Sequence, residues 1–451
     1  MECELEIAAQ DGSAVGNISA PISVLSTSPV RVPVAPPLRV SFIWTLAGSA
    51  VYSACNWAMI SILAKLGTPA IVGQFALGVA ISVPVFMLSN LQLRGIQATD
   101  ACSEFAFSDY FTLRVVATAM GLAAVLMAAQ CTRMDLLTVT VVCLVGVTKA
   151  IEALSDIVAG LLQKAERLDQ LAIILAARGI LSLLAFGYAF WKFHNLAGAL
   201  AAMAAAWAAI FALYELPLAV RINGSASFLK FRWSILKRLA VVSLPLGAVM
   251  ALGSLNLNLP RYALERYAGT SQLGIFASLA YIGTSATVIV NALGQSASAR
   301  LSRMFANGDH KSFSRLIWKF VAFGFLLGAV GVPCGLVAGR KLLSTIYRPE
   351  YASQVPVLLI IICSASVGAV ASFIGYGVTA VRCFKGQMVV MGVAAALTVI
   401  ASAWLVPNHG IMGAALAILF SSVAQATGFT FLLLLRMSSV GWGCRLAAET
   451  K

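Results

Sequence analysis

Long apolar runs recur along the whole chain, separated by short clusters of Arg, Lys, Asn, Pro and Gly. Twelve of them lie near 41–64, 71–93, 111–131, 136–162, 171–191, 195–219, 239–260, 272–298, 316–338, 355–378, 387–406 and 411–435. A helix needs roughly 20 apolar residues to cross the hydrocarbon core, so each run predicts one crossing. The runs are continuous rather than alternating and too long for barrel strands. The pattern predicts an all-α polytopic membrane protein of about twelve transmembrane helices. Several runs are rich in Ala, Gly and Ser, which lets helix backbones approach closely inside a bundle.

One short stretch occurs twice. Gly67-Thr68 followed by Gly73-Gln74-Phe75-Ala76 is echoed by Gly269-Thr270 followed by Gly274-Ile275-Phe276-Ala277, and each copy opens an apolar run that ends at an arginine, Arg94 or Arg300. The basic connection from Arg221 to Arg238 divides the chain between spans six and seven. Six spans is an even number, so a second copy has the same topology as the first and is related to it by an axis along the membrane normal. The expected architecture is two six-helix lobes, 39–220 and 239–436, around a central cavity, with a linker at 221–238. A disordered cytoplasmic tail is expected over 1–38 and a second cytoplasmic tail over 437–451.

Composition agrees with the hydropathy pattern. Only 11% of the residues are charged and 60% are hydrophobic, against about 25% charged in soluble proteins. Lys and Arg concentrate in the loops after the even-numbered spans, which places both termini in the cytoplasm. The net charge of +14 then reflects anchoring to anionic membrane lipids rather than nucleic acid. The acidic, Pro-rich start lacks the apolar core of a secretory signal. Nine scattered cysteines and isolated His194, His310 and His409 offer no metal or disulfide framework. No nucleophile constellation or phosphate-binding glycine loop is evident, the loops are too short for a catalytic domain, and the expectation is a non-enzyme without cofactor.

The polar residues inside the spans carry the functional information. Lys149, Glu152 and Asp156 in span four fall within about 60° of one another on one helix face, and Gln163 extends the stripe toward the cytoplasm. Arg178 in span five reaches a depth similar to that of Asp156 on the antiparallel neighbour, which predicts an Asp156–Arg178 ion pair. A charge at mid-span costs on the order of 3 kcal/mol, so these groups are expected to face one another or a cavity. Span seven carries Pro245, Gly247, Gly253 and Pro260, with Asn256 and Asn258 just before Arg261; it reads either as a bent, gating helix or as a Pro-terminated helix with asparagine caps. Asn56 in span one is expected to face the bundle, and Glu215 to pair with a neighbouring basic residue rather than couple an ion.

Three tracts also carry a resemblance. The sequence Asn90-Leu91-Gln92-Leu93-Arg94-Gly95-Ile96-Gln97-Ala98-Thr99-Asp100 is similar to the end of the second span in Wzx-type polysaccharide flippases. Residues 155–169, followed by Arg178-Gly179, resemble their fourth-to-fifth span junction, and 261–282 their seventh-to-eighth span region. The resemblance implies the multidrug, oligosaccharidyl-lipid and polysaccharide exporter superfamily. Its polysaccharide branch moves undecaprenyl-diphosphate-linked oligosaccharide from the cytoplasmic to the periplasmic leaflet of the bacterial inner membrane. On that reading Lys149, Arg178, Arg261, Asn56, Asn256 and Asn258 are candidates for the substrate cavity, and Arg94 and Arg300 for its cytoplasmic mouth. Glu152 and Asp156 are candidates for ion coupling or fixed salt bridges. The lipid-linked oligosaccharide and membrane lipids are the expected partners, with a polysaccharide polymerase and co-polymerase beside them. A drug/cation antiporter of the same superfamily and a non-transporting scaffold of polysaccharide assembly are the competing readings.

Overall fold

A computed structural model describes residues 38–100, 104–131, 134–225, 227–381 and 383–449. The tail expected over 1–38 lies outside them apart from Leu38. Spans one to six are Leu38–Leu66, Pro69–Ser89, Phe107–Cys131, Leu136–Lys164, Leu168–Phe193 and Leu196–Asn223. A short helix, Leu93–Thr99, lies between spans two and three. Spans nine and ten are His310–Ile346 and Val355–Ala380.

The remaining two helical stretches, Trp233–Ala306 and Phe384–Glu449, run to 74 and 66 residues. At about 1.5 Å per residue each is far longer than the roughly 30 Å hydrocarbon core. Each breaks at a glycine with positive φ, Gly269 (82°) and Gly410 (53°), a conformation that costs other residues a clash with their own Cβ. The breaks divide them into spans seven (233–268) and eight (270–306), and eleven (384–409) and twelve (411–449). Twelve crossings result among the described residues, as the hydropathy pattern predicts.

Local chemistry sets the helix starts. Thr68, Asp135, Asn195 and Asp309 each accept a hydrogen bond from a backbone N–H of the helix they precede, which satisfies a donor that the first turn leaves orphaned. Span six is regular to Ile210, widens into a π-turn over Phe211–Glu215, and resumes as α-helix to Asn223. Pro217, which has no N–H to give back to the preceding turn, stands just after the wide turn.

The lobes meet at one end of the molecule. A single apolar core joins Leu63, Val72, Leu77, Phe190 and Trp207 of the first lobe to Leu273, Phe276, Leu343, Tyr351 and Ile411 of the second. Toward the opposite end, which carries Arg94 and Arg300, the cores separate. Leu93, Phe111, Ile157 and Leu161 pack within the first lobe, and Leu301, Phe313, Val378 and Phe429 within the second. At the basic end the cores thus part into a cleft bridged by span seven, whose Gly247 approaches the backbone of Leu88 and Leu91, and the end holding the repeated Gly-Thr motifs is shut.

The linker is strapped to the first lobe. Arg232 binds the buried Asp109 at 2.6 Å, Arg238 pairs with Glu104, and Phe228 packs edge-on to Phe107 at 5.4 Å between ring centroids. Leu236 and Leu239, in the first turns of span seven, belong to the first lobe's core. Further along, Asn256 donates to the carbonyl of Met391 in span eleven at 3.4 Å. Span seven thus begins against one lobe and ends within the other.

Candidate functional site: the polar wall of the interlobe cleft

The polar stripe of span four forms, but its partners differ from those the sequence suggests. Lys149 Nζ pairs with Glu152 at 2.6 Å, and the Tyr52 hydroxyl of span one reaches the same carboxylate at 3.4 Å. Asp156 does not pair with Arg178. It receives Arg94 at 3.2 Å and Arg114 at 3.1 Å. The physical reason is the short helix Leu93–Thr99. The chain leaves span two through Leu91 and Gln92 in the left-handed region (φ 50° and 52°), which turns Arg94 back onto span four, where it also donates to Gln163 at 3.3 Å. Those arginines occupy the carboxylate before span five reaches it.

Arg178 is instead held in a second, buried layer. Its guanidinium lies 3.2 Å from Glu215 and 5.2 Å from the Trp207 ring centroid. Glu215 sits in the π-turn of span six, so the wide turn positions the one carboxylate that matches Arg178. This bears out the expectation that Glu215 has a basic partner. Exposure separates the layers. Arg94, Asp156, Glu152 and Lys149 keep 36%, 28%, 32% and 27% of their side-chain surface accessible, whereas Arg178 and Glu215 keep 5% and 0%. Arg114 is wholly buried, held by Asp156 and by the Asn90 side-chain oxygen. Partial exposure of groups midway along an enclosed helix is what a wet cleft produces, because lipid-facing charges would cost several kcal/mol.

The second lobe supplies one cation. Arg261 of span seven donates to Asn258 Oδ1 at 3.1 Å and has no carboxylate within ion-pair distance among the described residues. Lys149 of the first lobe and Arg261 of the second both lie within electrostatic reach of Tyr281 in span eight. Asn258 orients Arg261 and bonds back to the Ser254 carbonyl at 2.8 Å. Asn256 is 1% exposed and turned into its own lobe. Asn56 donates to the Tyr52 carbonyl at 3.0 Å, a bond within span one. Arg300 stands apart, on an open hollow of about 500 Å³ at the basic end with Arg303, Asn307 and Asp309.

The sequence reading missed Arg114, Tyr52 and Trp207. Arg114 had a legible signal: a lone arginine within the apolar run of span three, open to the same burial argument as Arg178. The two aromatics had none, since single aromatics recur in every span.

The fold is that of the MOP-superfamily transporters. A mutant of the Vibrio cholerae MATE transporter VcmN superposes with a TM-score of 0.62 over 89% of this chain and 96% of its own, at 13% identity. A MOP superfamily transporter from Pyrococcus furiosus, for which a reverse polarity of the binding pocket suggests a different function, gives 0.58 over 89% and 95%, at 14% identity. In sequence, a capsular polysaccharide biosynthesis protein, CapF of Staphylococcus aureus, is 26% identical over 398 residues, 87% of this chain and 98% of that protein. No known family profile matches the chain.

Proposed function

We propose that the protein is a flippase for an anionic lipid-linked oligosaccharide, carried from the cytoplasmic to the periplasmic leaflet for polysaccharide biosynthesis by alternating access of the two lobes. One observation carries the reading: the surplus of positive charge on and behind the cleft wall. Among the described residues, Arg94, Arg114, Lys149, Arg178 and Arg261 stand there against Glu152, Asp156 and Glu215. Each of those carboxylates already has a basic partner, and Arg261 has no acidic one among the described residues.

An undecaprenyl diphosphate head group supplies the missing charge. Two unit charges 4 Å apart attract by about 4 kcal/mol at an effective dielectric of 20, enough to offset the order of 3 kcal/mol that an uncompensated mid-membrane cation costs. Arg261, held by Asn258, presents a planar donor fork suited to phosphate oxygens. Lys149, on a flexible stem, releases part of its hold on Glu152 as the anion arrives. Opening at the basic end, cytoplasmic by the positive-inside rule, admits the head group while the lipid tail stays in the bilayer. A cationic drug would meet the same surplus as repulsion. The name of the staphylococcal relative supports a role in capsule-type polysaccharide formation, and the Pyrococcus transporter supports a pocket of altered polarity on this fold.

The test is the leaflet distribution of lipid-linked oligosaccharide in cells depleted of the protein, read with a membrane-impermeant sugar probe on oriented vesicles. The proposal expects accumulation on the cytoplasmic face, reversed by the intact chain and by no Arg261→Gln variant. A normal distribution with lost polymer would move the protein to a later step or to scaffolding.

A further inference from the structure

The repeated Gly-Thr motif has a physical reason that the substrate chemistry does not touch. At the shut end of the molecule the first turns of spans two and eight meet backbone to backbone. A Cβ added to Gly73 would stand 1.8 Å from the Thr270 carbonyl oxygen and 3.2 Å from the Gly274 nitrogen. A Cβ added to Gly274 would stand 1.8 Å from the Pro69 carbonyl oxygen and 2.8 Å from the Gly73 nitrogen. The two clashes mirror each other, and each is with backbone of the other lobe. Neither glycine has positive φ, so close approach alone explains the residue type.

We infer that Gly73 and Gly274 form a two-fold lock that lets the lobes close at this end, and that glycine is needed at both positions for closure rather than for the folding of either lobe. A surface that faces its own copy across a two-fold axis must be complementary to itself, as in an isologous dimer interface. The same short motif therefore recurs in both halves of the chain. Beside the shared apolar core, the polar links across this end are of a different kind. Lys65 Nζ donates to the Thr345 carbonyl at 3.3 Å, Arg348 Nε to the Lys65 carbonyl at 3.4 Å, and the Tyr262 hydroxyl to the Ala80 carbonyl. Water replaces such single hydrogen bonds when the lobes part, whereas the glycine contact only needs both Cβ positions empty. Gly78, one and a half turns further along span two, shows the contrast: its added Cβ would meet the Val145 side chain of its own lobe at 3.1 Å, a contact a small shift relieves.

The experiment reads closure by crosslinking the full-length protein in membranes. A Lys65→Cys/Thr345→Cys pair joined by a short bismaleimide reports the shut end. A Glu104→Cys/Arg238→Cys pair, exposed at the basic end, reports that the first lobe and its linker are folded. Gly73→Val or Gly274→Val is expected to lower the first crosslink at least tenfold and leave the second at the parent level, with Gly78→Ala changing neither. An unchanged Lys65/Thr345 crosslink in both valine variants would overturn the lock. Loss of both crosslinks, persisting in the milder Gly274→Ala, would also overturn it, since the glycines would then serve folding.

Discussion

The two lobes follow one plan and hold their polar residues in different ways. In the first lobe, span four presents Lys149, Glu152 and Asp156 to the cleft, and Arg114, Arg178 and Glu215 are buried behind it. In the second lobe the interior polar groups are mostly neutral: Ser366 bonds the Gly324 carbonyl at 2.8 Å, Ser364 that of Ile360 at 2.8 Å, and Asn256 that of Met391. Arg261 and Tyr281 stand at its edge. The halves thus share the number of crossings and the glycine contact, while among the described residues the buried charge network belongs to the first half. The first lobe carries electrostatic order and the second offers a single cation to close around whatever the first attracts.

Removing a buried charge partner in the first lobe should therefore hurt stability most. Arg114→Ala leaves Asp156 with Arg94 and strands Asn90, and the expected loss is about 1–3 kcal/mol, read as thermal unfolding in detergent. Arg178→Ala should cost more, about 3–5 kcal/mol, because it leaves Glu215 unpaired at 0% exposure. The Arg178→Met/Glu215→Leu double variant should recover most of that loss, since replacing both members of a buried pair by apolar groups of similar volume is often neutral or better. Transport by that stable double variant separates the two roles open to the pair: retained transport confines it to pinning spans five and six, and lost transport makes Arg178 a reserve cation for the head group.

Arg261 sharpens the comparison from the other side. Among the described residues it has one hydrogen-bonding side-chain partner, Asn258, and no carboxylate to strand, so Arg261→Gln removes an uncompensated cation and should leave stability unchanged or higher while lowering flipping at least tenfold. Equal flipping in that variant would remove the second lobe from substrate binding. Asn256→Ala is the matching control within the lobe. An interhelical hydrogen bond of this kind averages about 0.6 kcal/mol in membranes, and the variant should flip normally.

The crossings were legible in the sequence because hydrophobic run length is almost the whole determinant of a spanning helix. The partners within the site were less so. The stripe Lys149, Glu152, Asp156 follows from helix period alone, but the choice between Arg178 and Arg94 as partner of Asp156 depends on the left-handed residues Leu91 and Gln92. Positive φ at those residues leaves no mark in hydropathy. Glu215 was visible as a buried acid, yet its depth depends on a π-turn that shifts every residue after it relative to a regular helix. The repeated Gly-Thr motif was visible as a repeat, and its physical meaning, a contact of two backbones, required the packing of spans two and eight.

The smallest effect concerns the helix starts, where the lobes use the same device on opposite ends of the molecule. Asp135 accepts from Thr138 N at 3.2 Å at the start of span four, and Asp309 from Ser312 N at 3.1 Å at the start of span nine. In each the hydroxyl of the residue three ahead, Thr138 or Ser312, and then its backbone N–H hold the carboxyl below the usual aspartate range. A carboxylate whose folded-state value is depressed contributes stability that is present above its unfolded value, near pH 3.9, and is lost as pH falls through the folded value. Asp135→Asn keeps a capping oxygen without the titration, so it should cost only a few tenths of a kcal/mol near neutrality and flatten the loss of stability below about pH 4. Asp135→Ala should cost about 1 kcal/mol at pH 7 and correspondingly less in acid. Thermal unfolding at pH 7 and at pH 3.5 distinguishes them, and an acid response in Asp135→Asn as steep as that of the parent would show that the Asp135 cap is not its source.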